Sequence, residues 1–157
     1  MSNIYIASDH AGFALKSELI QFLTEAGHTV GDEGAYMFDA EDDFPDYVIP
    51  AVEKCVQDEN SFAIVIGASG QGEAMAAAKV KGARAAVYYG DTGKTQLDAN
   101  GTALSILESS RAHNNANVLA LGARFITLEE AKKAVTVFLT TPFSSDERHI
   151  RRLQKLS

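Results

Sequence analysis

Short apolar runs that alternate with longer helical patterns constrain the fold of this chain more than any other feature of its sequence. The runs are Ile4–Ala7, Thr29–Val30, Phe62–Ile66, Ala83–Tyr88 and Val118–Leu121. Alternation of this kind is typical of a parallel sheet whose strands are connected by helices on both faces. The sequence therefore predicts an α/β fold built on a five-stranded parallel sheet.

Two capping-box signatures predict where later helices begin. Thr127 is followed three residues later by Glu130, and Ser144 is followed at the same spacing by Glu147. In this motif the hydroxyl and the carboxylate each accept a hydrogen bond from a free backbone N–H group. The second signature predicts a C-terminal helix that ends near Leu156.

Length, composition and charge exclude several classes of function. A chain of 157 residues with 46% apolar and 22% charged residues has the size and composition of a single globular domain, which we assign to residues 1–157. The formal net charge of −7 argues against a general nucleic-acid binder and against binding to an acidic membrane, because both are polyanionic. An anionic ligand must therefore be small and locally bound.

Cysteine content and the N-terminal residues predict a cytoplasmic protein. Cys55 is the only cysteine, so no intrachain disulfide can form, and its place in a helical pattern favours a packed thiol over a nucleophile. The first residues, MSNIYIASDH, lack the features of a signal peptide. No apolar run approaches the roughly 20 residues needed to span a bilayer.

A glycine-rich turn after the third apolar run carries the strongest functional signal. In FAIVIGASGQGEAMAAAK, glycines let the backbone bend tightly, and the amides from Ser69 to Glu73, which include those of Gly70, Gln71 and Gly72, can converge on negative charge. A carboxylate beside a permanently bound anion would be repelled. The presence of Glu73 therefore indicates that the negative charge held by this turn develops during a reaction, in which Glu73 acts as the base. The alternative is a plain strand-to-helix connection with an acid in the first helical turn.

Further polar residues cluster at the predicted strand ends, where ligands bind in open α/β sheets. Asp9 and His10 follow the first strand, Arg124 follows the fifth, and His113 and Asn114 lie just before the fifth. Each has a simpler alternative interpretation, such as a helix cap, a turn histidine or a surface ion pair. Their shared placement favours a functional role for the group.

The C-terminal helix adds a basic pair. Arg148 and Arg152 are four residues apart and project from one helical face, an arrangement that suits a phosphate dianion. The alternative is a solvated basic helix end.

Rival ligand classes lack their signatures. Gly93, Lys94 and Thr95 match the end of a P-loop, but Tyr88 occupies the position of its first glycine. The first strand-to-helix turn is SDHAG, which is not the dinucleotide motif. The four histidines show no paired helical spacing, so we expect no metal site.

Four segments together resemble the type B ribose-5-phosphate isomerases and the related galactose-6-phosphate isomerase subunits. The segments are SDHAGFALK, GASGQGEAMAAAKVKGARAA, AHNNANVLALGAR and RHIRR, and the resemblance covers nearly the whole chain. It implies a Rossmann-like three-layer sandwich with a five-stranded parallel sheet and a C-terminal helix. It also implies a sugar-phosphate aldose–ketose isomerase that uses no metal or other cofactor. The partners implied are a phosphorylated sugar substrate and a second copy of the chain, in a homodimer or a dimer of dimers with shared active sites, with no nucleic acid and no membrane.

The resemblance also implies a role for each candidate residue. Asp9 and His113 would assist ring opening, and Glu73 would move a proton between C2 and C1. Ile66 fills the position of the cysteine that other members use, which favours the glutamate branch of the family. Stabilisation of the cis-enediolate would come from Ser69 and the amides of Gly70, Gln71 and Gly72. Phosphate would be held by His10, Arg124, Arg148 and Arg152, with His113 and Arg124 reaching in from the partner chain, and Asn114 would contact sugar hydroxyls.

Three features leave the substrate open. Ala78 replaces an asparagine that is usual in the family, and the segment 90–112 is longer than the usual connection by roughly ten residues, an estimate from the resemblance; loops of this kind vary function. The acidic loop Asp39–Asp43 is typical of a solvated surface turn, with closure over the site as the alternative. The most favoured substrate is ribose 5-phosphate. Galactose 6-phosphate or allose 6-phosphate, or a non-catalytic subunit that binds sugar phosphates, are the alternatives.

Overall fold

The structure, a computed structural model, describes residues 1–156. Ser157, the last residue of the predicted domain, lies outside the described residues. The elements in chain order are β1 (Asn3–Ser8), α1 (Phe13–Glu25), β2 (Thr29–Asp32), α2 (Pro45–Gln57), β3 (Ser61–Gly67), α3 (Gln71–Ala77), β4 (Ala85–Tyr88), β5 (Gln96–Leu97), β6 (Ala103–Leu104), α4 (Ile106–Asn114), β7 (Val118–Gly122), α5 (Leu128–Thr140) and α6 (Glu147–Gln154).

A five-stranded sheet in the order β2-β1-β3-β7-β4 forms the centre of the fold. Every pairing in it is parallel, and the five strands coincide with the five apolar runs. The predicted five-stranded parallel sheet is therefore confirmed. Strands β1 and β3 are neighbours whose connections leave in opposite directions, which creates a topological switch point between them.

The sheet is covered on both faces, which confirms the three-layer sandwich. Alternate side chains of each strand point to opposite faces. Ile64 and Ile66 of β3 pack with Leu19 and Phe138 in a core formed with α1, α4 and α5. The other face of the same strand packs against α2 and α3. That second core contains Cys55, whose thiol is buried and whose pKa is raised by that burial, as a packed thiol requires.

One capping prediction is confirmed and the other is wrong. The Thr127 hydroxyl accepts from the Glu130 amide, and the Glu130 carboxylate accepts from the Thr127 amide. The predicted C-terminal helix exists, but its N-cap residue is Asp146, with no side-chain capping bond. The Ser144 hydroxyl lies 2.7 Å from His149 Nδ1 and accepts from the Asp146 amide at 3.3 Å, so it contacts the residue before the helix and does not cap the Glu147 amide.

The long segment 90–112 is not a plain loop. It forms the antiparallel pair β5–β6 and then most of α4, whose N-cap Ser105 forms a capping box with Glu108. Helix α6 lies outside the sandwich and packs against α4. Among the described residues 1–156, the helices are all too short or too polar to cross a bilayer.

Candidate active site

The loops that follow β1 and β3 meet at the switch point of the sheet. They carry Asp9 and His10 on one side and the glycine-rich turn from Ser69 to Glu73 on the other. Since β1 and β3 are hydrogen-bonded neighbours in register up to Ser8 and Ile66, these two loops emerge side by side. The switch point therefore brings the predicted base close to the predicted ring-opening acid.

The Glu73 side chain folds back over the end of β3. A Cβ atom added to Gly67 would lie 1.9 Å from Glu73 Oε1 and 2.1 Å from its Cδ, so only glycine leaves room for the carboxylate. Glu73 lies in the first turn of α3 and is only 4% exposed. Glycine at position 67 therefore allows the Glu73 carboxylate to lie within the turn, away from solvent.

Burial is the main cause of a raised pKa at Glu73. The negative charge of Asp9 adds to the increase, while the backbone amides of Glu73 and Gly70 oppose it. Desolvation penalises the charged form of a carboxyl group, and a nearby carboxylate does the same. The result is a carboxylate of increased basicity, which is what a general base that works near neutral pH requires.

The backbone of the glycine-rich turn is tightly packed and ends with free donors. Gly70 has a φ of 76° and is the N-cap residue of α3. The Gln71 amide donates to Ser69 Oγ at 3.3 Å. The first amides of a helix have no partner within that helix. Those of Gly70 and Glu73 donate to the Glu73 carboxylate, and the Gly72 amide has no partner within α3. This arrangement can stabilise an oxyanion formed next to the base.

The two carboxylate oxygens of Asp9 have different surroundings. Its Oδ1 accepts from the amides of Ala11 at 2.9 Å and Gly12 at 3.3 Å, so it does cap the turn that leads into α1. Its Oδ2 lies 4.0 Å from His10 Nδ1. One oxygen is therefore used to hold the loop while the other faces the site.

The acidic loop is exposed at Asp39, Glu41 and Asp43, as the sequence predicts, but Asp42 folds inward. The Asp42 side chain is only 3% exposed, and its Oδ1 lies 2.7 Å from His10 Nδ1. Phe44, two residues later, packs on Gly72, where an added Cβ would lie 2.8 Å from its ring. The loop thus forms a wall of the site. The sequence carries no signal for Asp42, because an acidic run before a proline has the same pattern whether it is solvated or folded inward.

Arg124 belongs to the same side of the site in the same chain. Its amide donates to the Ala68 carbonyl at 3.1 Å, and its charge acts on His10. Within one chain Arg124 therefore lies on the His10 side of the site, and its reach into a partner's site stays a prediction. We call Asp9, His10, Ser69, Gly70, Gln71, Gly72, Glu73 and Arg124 the glycine-loop half.

The remaining predicted residues gather at a different place, which we call the helix half: His113, Asn114, Arg148 and Arg152. The rings of His113 and His149 contact each other with centroids 4.5 Å apart, which joins α4 to α6. Burial lowers the pKa of His149, and its electrostatic interactions with His113 and Arg148 act in the same direction. Arg148 Nε is buried without a hydrogen-bond partner in the described part of the chain, and Nη2 makes a long 3.4 Å contact with Asp146. Arg148 therefore retains donors for an anion, and Arg152 is exposed.

The two halves lie at opposite ends of the strands, the glycine-loop half at their carboxyl ends and the helix half at their amino ends. The glycine-loop half follows the carboxyl ends of β1, β3 and β7, whereas His113 lies five residues before the start of β7. A strand rises about 3.3 Å per residue, so the five residues of β7 separate these ends by about 16 Å. A side chain of the helix half does not span that distance. One chain therefore holds the predicted site as two separate parts.

Comparison with known proteins gives a consistent result over the whole chain. The family described as Ribose/Galactose Isomerase matches residues 4–156. Ribose-5-phosphate isomerase B of Mycolicibacterium paratuberculosis is 40% identical over 154 residues, which cover 98% of this chain and 89% of that protein.

Solved structures agree in fold. The crystal structure of ribose-5-phosphate isomerase B from Mycoplasma genitalium with bound ribulose-5-phosphate has a TM-score of 0.84 and 37% identity, covering 98% of this chain and 93% of that chain. A ribose 5-phosphate isomerase from Thermotoga maritima has a TM-score of 0.82 and 36% identity, covering 99% of this chain and 97% of that chain.

Glu73→Gln is expected to stabilise the folded protein at neutral pH. Because the pKa of Glu73 is raised on folding, the charged carboxylate costs stability, and that cost appears as the pH rises from the unfolded pKa through the folded one. Urea unfolding should show a larger free energy of unfolding for the variant than for wild type at pH 7. This difference should disappear near pH 4, where the wild-type carboxyl is largely protonated. Glu53→Gln, at an exposed position of α2, is the control and should show no such gain. Equal stability of wild type and Glu73→Gln at both pH values would contradict the burial argument.

Proposed function

The chain belongs to the ribose/galactose isomerase family, and we propose that it converts ribose 5-phosphate to ribulose 5-phosphate with Glu73 as the base. Relatives named as ribose-5-phosphate isomerases mark it as an aldose–ketose isomerase. The bound ribulose-5-phosphate in the Mycoplasma genitalium relative supports a sugar-phosphate substrate. The observation that carries the mechanism is the enclosed Glu73 carboxylate against Gly67, beside the amides of the glycine-rich turn.

The proposed reaction begins with ring opening and proceeds through an enediolate. Asp9 and His113 move the protons that open the furanose. Glu73 then removes the proton from C2, the carbonyl oxygen gains negative charge, and the same carboxyl group returns a proton to C1. A C–H bond beside a carbonyl is too weakly acidic to break unless this oxygen is stabilised, and one preorganised donor contributes about 3–4 kcal/mol. Ser69 and the amides of Gly70, Gln71 and Gly72 supply those donors.

Substrate binding is assigned to the cationic residues of both halves. His10 and Arg124 of the glycine-loop half, together with Arg148 and Arg152 of the helix half, hold the phosphate. Asn114 contacts sugar hydroxyls. Paired guanidinium groups suit phosphate because each presents several donors in a fixed plane. The proton transfers use only side chains of the protein, while its amides stabilise the enediolate. We place the reaction in the cytoplasm.

A complete site requires a second copy of the chain, so we propose a homodimer, alone or as a dimer of dimers. Beside the helix half, an open groove of about 840 Å³ runs along the edge strand β4 between α4 and α6. Its lining includes Ile106 and Leu156, which are 56% and 73% exposed in one chain. Edge strands and apolar grooves of this kind are usually covered by a partner. A partner seated there can bring its own glycine-loop half to this helix half.

Turnover of ribose 5-phosphate is the direct test of the proposed function. Removal of a general base costs about 10²–10⁴ in rate, so Glu73→Gln should lower kcat by at least about 100-fold with little change in KM. Glu53→Gln should match the wild type. Allose 6-phosphate and galactose 6-phosphate belong in the same assay, because the β5–β6 segment brings Asp98 within electrostatic reach of His113 and Arg148. Binding of all three sugars without turnover would contradict the isomerase proposal and favour a sugar-phosphate-binding subunit.

Shared sites predict complementation between two inactive variants. Glu73→Gln damages only the glycine-loop half and His113→Ala only the helix half. In a symmetric dimer the mixed species has one site with both defects and one with none, so random subunit exchange should restore roughly a quarter of wild-type activity. Native mass spectrometry of the mixture reports the exchange. Exchange without any recovered activity would show that each site lies within one chain.

A further inference from the structure

We propose that Asp42 is a positioning residue that holds the His10 ring as a cation directed at the substrate phosphate. This inference rests on the proposed function, because it takes His10 as a phosphate-binding residue. It extends that function to a carboxylate in the loop between β2 and α2, to which the sequence assigns no role.

Two hydrogen bonds from one residue converge on one carboxylate oxygen. Asp42 Oδ1 accepts from the His10 amide at 3.1 Å and lies 2.7 Å from His10 Nδ1. A carboxylate only accepts, so Nδ1 must carry its proton, and Nε2 is the nitrogen left for a ligand. In a neutral ring Nε2 would be an acceptor and would repel phosphate oxygens. Only the protonated ring can donate to phosphate from Nε2.

The surroundings of the pair favour that protonated ring. The Asp42 side chain is 3% exposed, and its Oδ2 is buried without a hydrogen-bond partner among the described residues. A buried carboxylate with unused acceptor capacity is costly, and a cationic partner offsets that cost. The groups that face His10 are Asp42, Asp9 and Arg124. The hydrogen bond to Asp42 is the largest cause of the raised pKa of His10, and the charge of Asp9 adds to it, while partial burial and the charge of Arg124 oppose it.

The loop that carries Asp42 is held in place from both ends. Near its start, the Ser8 amide donates to Gly34 O at 2.8 Å and the Ala35 amide donates to Ser8 O at 2.7 Å. The buried Lys16 ammonium donates to Ala35 O at 2.8 Å. At the other end Phe44 packs on Gly72 of the glycine-rich turn. The carboxylate is thus fixed before a substrate arrives, as a positioning role requires.

A metal site is the rival interpretation of the same three side chains. Ligand atoms of Asp9, His10 and Asp42 lie within 4.8 Å of one another. However, Asp42 Oδ1 already accepts from the backbone amide, and the short contact between Oδ1 and Nδ1 is that of a hydrogen bond. A metal ligand nitrogen must present a lone pair and not a proton. The geometry therefore favours an ion pair over a cation site.

Asp42→Asn is the informative variant, because asparagine keeps an oxygen acceptor but removes the charge. Glu41→Gln is the matched control, since Glu41 is the exposed neighbour in the same loop and also loses one negative charge. The His10 ring is titrated by NMR in each protein, with its signal assigned by comparison with His10→Gln. We expect the pKa of His10 to fall in Asp42→Asn and to stay at the wild-type value in Glu41→Gln.

The kinetic consequence follows from the sign of that change. Phosphate binding is strong below the pKa of His10 and weakens as the pH rises through it. For Asp42→Asn this weakening begins at lower pH, so KM for ribose 5-phosphate should be about tenfold above wild type at a pH between the lowered and the wild-type pKa of His10, and should approach wild type below both. The kcat value should change little, and Asp42→Glu should restore part of the lost binding. The second ionisation of the substrate phosphate, near pH 6, affects all variants equally.

Three results would overturn this inference. An unchanged His10 titration in Asp42→Asn would remove the pairing, and because it needs no substrate, it separates this failure from failure of the proposed reaction. A lowered pKa with wild-type KM at every pH would remove His10 from the phosphate site. Stoichiometric binding of Zn²⁺ measured by calorimetry, lost in Asp42→Asn and accompanied by chelator-sensitive turnover, would replace the ion pair with a metal site.

Discussion

Contact between the Glu73 carboxylate and the bare Cα of Gly67 is the constraint on which the rest of the site depends. The strand end, the turn and the first turn of α3 are so close that a single methyl group at Gly67 would overlap the carboxylate. That closeness buries the carboxyl group, and its burial raises the pKa. Geometry and basicity at Glu73 therefore have one origin, the lack of a side chain at one backbone position.

The parallel sheet explains why the site is divided. In a parallel sheet the loops that follow the strands all leave from the carboxyl ends, so Asp9, Glu73 and Arg124 converge there. Residues that precede a strand lie at the amino ends, and His113 is one of these. A chain that needs both sets must either fold a long segment across the sheet or use a second copy. Helices α4 and α6, with the groove between them, offer the second solution.

Much of the fold could be predicted from the sequence, because each strand is a short apolar run bounded by turn residues. The capping box at Thr127 was equally readable, since both of its bonds are local. Ser144 is not the cap because the helix begins later than the pattern predicts, and its hydroxyl contacts the Asp146 amide and the His149 ring instead. Helix α4 was missed although Ser105 and Glu108 have the same spacing as a capping box, because the helix is short and mostly polar. Inward folding of Asp42 depends on contacts with a distant loop, which no local pattern records.

Transfer of solvent hydrogen to carbon tests the central claim most directly. Ribose 5-phosphate is converted by wild type and by Glu73→Gln in deuterated water, and the deuterium content at C1 of ribulose 5-phosphate is measured by mass spectrometry or NMR. If the Glu73 carboxyl group carries the proton between the two carbons and exchanges it with solvent on the way, the wild-type product contains deuterium at C1, whereas Glu73→Gln binds the sugar with neither conversion nor exchange. Conversion and exchange by Glu73→Gln at the wild-type rate would contradict this account.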